Sequence, residues 1–141
     1  MTNVHTNIIV SKGSPLDYPQ YRHTALWIQY ANGSALILAH IVGPNGDYVF
    51  ETRESAVPWE TQGFARKIDV GLLAATATPA QIVQALRRVP INNRDREFNC
   101  QTWVEDVLRT WKNADILSVE LYEKDVDGMV DVIAEAEDVE E

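Results

Sequence analysis

The chain has 141 residues, 45% of them hydrophobic, and a formal net charge of −9, which fits a single globular domain able to bury a core. Its one cysteine excludes an internal disulfide and fits a reducing compartment. No apolar run approaches the roughly 18 residues of a membrane span, and the N-terminus has neither the basic lead nor the apolar length of a signal peptide, so the sequence reads as cytoplasmic, with no stable membrane insertion.

The charge is unevenly placed. Residues 1–114 carry 10 acids against 11 Lys and Arg, whereas residues 115–141 carry 11 acids and only Lys124. The first part is expected to be a single domain, and the second an acidic segment, helical in part and frayed towards its end. Such a segment repels phosphate and anionic surfaces, so neither nucleic acid nor an anionic bilayer is an expected partner. A basic protein would complement it.

In chain order, "TNIIVS" (6–11) reads as a short strand followed by a loop rich in Pro and Gly. "YRHTALWIQY" and "SALILAHIV" flank "ANGS", and Asn-Gly between two β-rich runs is a strong hairpin signal. A second turn, "GPNGD", leads into "YVFETR", and "FARKIDVGLL" (64–73) reads as a further strand. "TPAQIVQALRRVP" is a punctuated helix. Thr78 is its N-cap, Pro79 opens it, Gln81 completes a capping box and Pro90 stops it. In "NCQTWVEDVLRTW", residues Trp103, Val104, Val107, Leu108 and Trp111 form one apolar helical stripe. Helical patterning returns around Met129, Val130 and Ile133. The fold class expected is α+β, an antiparallel sheet packed against helices. "EKDVDG" (123–128) imitates the front of a calcium loop, but its twelfth position is Ala134, not the bidentate Glu such a loop needs.

Cys100 admits two readings. A free cysteine is often a small core hydrophobe. Here, however, Asn99 is a good N-cap, which puts Cys100 in a first helical turn, where free N–H groups and the helix dipole lower a thiol's pKa. If Asn32-Gly33 is a two-residue turn, opposed residues sum to 65. His40 then faces Ala25, with His23 as its diagonal neighbour on the same face. Both histidine side chains are expected to turn towards Cys100. A thiol, a base and a group that orients the base are what nucleophilic acyl transfer requires.

"YRHTALWIQYANGSALILAHI" followed downstream by "NCQTWV" resembles the permuted papain-like group of the NlpC/P60 superfamily, nearest its lecithin:retinol acyltransferase and phospholipase/acyltransferase branch. The resemblance covers roughly residues 18–50 and 97–108. It implies a papain-like core with Cys100 as nucleophile, His23 as general base and His40 as the residue orienting that base. It also makes Tyr21 a candidate for binding the oxyanion, alongside Asn99 and Gln101 beside the nucleophile. Thr24 stands where that branch carries Trp, Gln-Thr-Trp follows Asn-Cys in place of Glu-His-Phe, and the two histidines are further apart.

The expected activity is cysteine-dependent acyl transfer on a small-molecule or acyl-group substrate. It would hydrolyse or transfer from an amide, ester or thioester, with no metal and no cofactor. A peptidase, a deconjugating enzyme and a cyclising enzyme would use the same machinery. A non-catalytic binding module with a buried core cysteine is the alternative from another class.

Overall fold

Alternating and β-branched residues in the first half of the chain form five antiparallel strands: β1 (Thr2–Ser11), β2 (His23–Tyr30), β3 (Leu36–Val42), β4 (Val49–Glu54) and β5 (Phe64–Ala77). The second half supplies α1 (Pro79–Arg87), α2 (Cys100–Asn113) and α3 (Val119–Ala134). The structure, a computed structural model, describes residues 2–12, 22–30, 36–43, 46–54, 64–95 and 97–134. Tyr21, the Asn32-Gly33 pair and the last seven acid-rich residues lie outside the described residues.

The sheet runs β4-β3-β2-β1-β5, so β1 is flanked on both sides and the two longest strands lie side by side. β1 is longer than the sequence suggested because both of its neighbours extend it, pairing as far as Val4↔Tyr30 on one side and Thr2↔Ala77 on the other. The β2–β3 pairs are Leu26↔Ala39, Trp27↔Leu38, Ile28↔Ile37 and Gln29↔Leu36, each summing to 65 as the hairpin reading required. At the start of the next connection, Gly43 has φ +118, and a Cβ there would stand 2.8 Å from the Asp47 carbonyl oxygen, so only glycine fits. The β3–β4 register that follows sets His40 opposite Glu51.

Strand alternation divides the sheet into two faces. Val4, Ile8, Val10, Leu26, Ile28, Tyr30, Ala39 and Ile41 share one core with Leu86 of α1, with Trp103, Val104, Val107 and Leu108 of α2, and with Met129 and Ile133 of α3. Phe50 of β4 meets the Trp103 ring at 5.8 Å on that same face. The other face carries Ile9, Ala25 and Trp27, which are also buried. Thus β2 is apolar on both sides.

The helices begin where their caps dictate. Thr78 and Gln81 exchange side-chain and backbone hydrogen bonds at the head of α1, and Asn99 and Thr102 do the same for α2. α3 packs against β1, β5 and α2, so residues from the acidic segment beyond 114 contribute to the core. Gly128 of α3 faces Ile68 of β5, and a Cβ there would make an ordinary contact at 3.7 Å.

Candidate active site

Two neighbouring strands bring the histidines together. His23 opens β2 and His40 lies on β3, and the shared register puts both on the face away from the helices. His23 Nε2 and His40 Nδ1 share a hydrogen bond of 2.8 Å, with the ring planes 69° apart. Beyond them, His40 Nε2 lies 2.8 Å from Glu51 Oε1 across the β3–β4 pair. Arg53, two residues along β4, approaches the same carboxylate oxygen at 4.0 Å. Three side chains thus form a line from the start of β2 to the rim of the sheet. His40 is buried, and Glu51 has 46% of its side chain exposed.

Electrostatics follow this gradient of burial. Burial, then His40 and then Arg53 push His23 down to a pKa of about 4, so its imidazole is neutral at physiological pH. Glu51 is held below the ordinary carboxylate value, chiefly by its hydrogen bond from His40.

Cys100 reaches the same strand from the other side. Its sulfur accepts from the Thr24 N–H at 3.5 Å, and its S–H donates to the Arg22 carbonyl at 3.8 Å. Those are the peptide groups on either side of His23. Pairing of β2 with β3 stops at Leu26↔Ala39, short of the strand ends, so Thr24 lies beyond the paired stretch. Alternation sets both histidine side chains on the sheet face that carries Ala25 and Trp27, and the thiol meets β2 at its backbone on either side of His23.

A correction concerns the thiol. The helix head was expected to lower its pKa, yet burial pushes it above the ordinary value. Hydrogen bonds from Thr24 and from the amides of Gln101 and Cys100 act in the lowering direction and are outweighed. Cys100 is 9% exposed and packs in the core cluster with Phe98, Trp103 and Val104.

The side chains beside it are engaged in structure. Asn99 Oδ1 accepts from Thr102 N at 3.1 Å and caps the helix, while Gln101 Nε2 donates to the Arg22 carbonyl at 3.0 Å. Arg22 itself is buried, and its Nη1 donates to the Val132 carbonyl near the end of α3 at 2.7 Å. The loop before α2 is pinned to the β3–β4 hairpin. Asn93 accepts from Tyr48 N–H at 2.9 Å and donates to Tyr48 C=O at 3.1 Å, like one rung of a ladder. Among the described residues, no group of three or more His, Cys, Asp or Glu could hold a metal ion.

Glu51 was the residue missed from sequence, although the signal was present. If Asn45-Gly46 is treated as a two-residue turn, opposed residues sum to 91, and His40 faces Glu51 as observed.

Residues 11–118 match a family of unknown function (DUF6540). The chain belongs to that family. The matched span takes in His23, His40, Glu51 and Cys100, and it ends just before α3. Comparison with curated proteins and with solved structures gave no match.

Proposed function

We propose that this member of the DUF6540 family is a cysteine-dependent acyl-transfer enzyme on a papain-like core of the permuted NlpC/P60 type. It would act as a hydrolase or acyltransferase on an amide, ester or thioester. The observation that carries the reading is the hydrogen-bonded His23–His40 pair at 2.8 Å, with the Cys100 sulfur lodged on the peptide groups that flank His23. A general base needs a fixed ring and a nucleophile near its own strand position.

In this reading, His23 takes the thiol proton as the Cys100 sulfur attacks the substrate carbonyl carbon. The Cys100 backbone N–H, at the open head of α2, stabilises the oxyanion. His23 then passes that proton to the leaving group, and the acyl group remains on sulfur as a thioester. Water or another acceptor gives its proton to His23, attacks the thioester and releases the acyl product, and the proton returns to the thiol. Because His23 and Cys100 both favour their neutral forms, the thiolate arises during attack and not at rest.

One observation favours a second reading, the binding module. Cys100 is a member of the apolar core with a raised thiol pKa. Incubation with p-nitrophenyl acetate and a panel of thioesters separates the two. An enzyme gives an acyl adduct on Cys100 in the native state, lost in His23→Ala. Absence of the adduct until the protein is unfolded would refute the enzymatic reading.

A further inference from the structure

We propose that Glu51 is a positioning residue that sets the tautomers of both histidines and leaves His23 Nδ1 as the bare ring nitrogen of the relay. The argument is one of proton counting. An ionised carboxylate can only accept, so the 2.8 Å contact requires the proton on His40 Nε2. With His40 taken as the neutral imidazole, its Nδ1 is unprotonated and can only accept. The 2.8 Å contact between the rings therefore requires the proton on His23 Nε2. One proton per neutral imidazole is now spent at each ring, and the lone pair left over is at His23 Nδ1.

Glu51 suits this role because its charge is stable. Its hydrogen bond from His40 holds it below the usual carboxylate range, outweighing the opposing effect of partial burial on the edge strand. Arg53, 62% exposed and 4.0 Å away, adds a weak attraction without displacing His40. Register fixes the geometry, since His40 and Glu51 are directly opposed on β3 and β4. A carboxylate one residue along β4 would point to the other face.

That His23 Nδ1 serves as the base for Cys100 rests on the acyl-transfer reading, whereas the tautomer assignment does not. Long-range 15N–1H correlation spectra of the histidine rings test the assignment directly. The expected result at neutral pH is protonation on Nε2 in both His23 and His40. In Glu51→Ala, His40 should lose its fixed tautomer and His23 should follow, with native Cys100 acylation slowed at least about tenfold. Glu51→Gln, which retains an acceptor oxygen, should keep Nε2–H on His40 and recover part of the rate. A wild-type His40 doubly protonated with His23 protonated on Nδ1 overturns the proposal, as do tautomers unchanged in Glu51→Ala. Wild-type tautomers as stated, together with no acylation of Cys100 in any variant, would refute acyl transfer and leave the Glu51 assignment standing.

Discussion

Asp125 offers the sharpest quantitative test of how this chain is packed. It lies on α3, fully buried, and neither carboxyl oxygen has a hydrogen-bond partner among the described residues. Burial raises its pKa from 3.8 to about 7, with Lys124 opposing the rise and Asp69 adding to it. The folded state therefore holds this proton more tightly than the unfolded chain. Stability from this group is fully present below the unfolded value, falls as pH rises, and levels off above about 7. At 1.36 kcal/mol per pK unit, the carboxyl costs the fold roughly 2–3 kcal/mol more at pH 8 than at pH 5. Asp125→Asn keeps the shape and removes the charge. Its stability relative to wild type should improve by about that amount between pH 5 and pH 8. Urea unfolding followed by tryptophan fluorescence at both pH values measures it. The comparison must be with the variant because His23, with its lowered pKa, works in the opposite sense, losing stability as pH falls below 6.5. If Asp125→Asn and wild type show the same pH dependence, Asp125 is either solvated or paired, and the reasoning fails.

The native Cys100 thiol should alkylate with a half-maximal pH above that of an ordinary cysteine, because burial outweighs its amide hydrogen bonds; a lower midpoint in an iodoacetamide pH series would contradict this. Asn99→Ala removes the α2 cap and should cost about 1 kcal/mol in urea unfolding, whereas a value near zero would mean that Thr102 N–H finds another acceptor. Arg22→Met keeps the buried stem and removes the hydrogen bond to Val132 C=O, so roughly 1.5–3 kcal/mol should be lost. Amides in the last turn of α3 should then exchange faster, and unchanged exchange there would show that Arg22 does not anchor the helix.

Much of the architecture is legible because it is local. Thr78, Pro79 and Gln81 specify a helix start within four residues, and Asn99 does the same for α2. The sum of 65 for β2 and β3 follows from an Asn-Gly pair between two apolar runs. What escapes the sequence depends on distant chain. Ala25 and Trp27 are buried on one face of β2, and Leu26 and Ile28 on the other. Alternation therefore pairs His23 with His40 but cannot say on which side the helices lie. Cys100 shows the same limit. Its helix-head position is written in Asn99, whereas the burial that raises its pKa comes from packing against β2. The helical patterning around Met129 and Ile133 is legible among the acids after residue 114, but that these two side chains reach the core depends on the sheet they pack against.

The place of β1 in the sheet also bears on how the chain reaches its fold. β2, β3 and β4 are joined by short connections and can pair soon after they are made, but the partner of β1 on its outer side is β5. His5 and Asp69, which meet at 2.7 Å across that pair, are 64 residues apart in the chain. Closing so long a loop must precede any stabilisation from that pair, so docking of β5 is the natural slow step in folding. During synthesis the first strand leaves the ribosome with Ile8 and Val10 in place and its outer hydrogen-bonding edge unpaired until residues 64–77 follow. In that interval the nascent chain presents an apolar strand edge, and another copy can add to it.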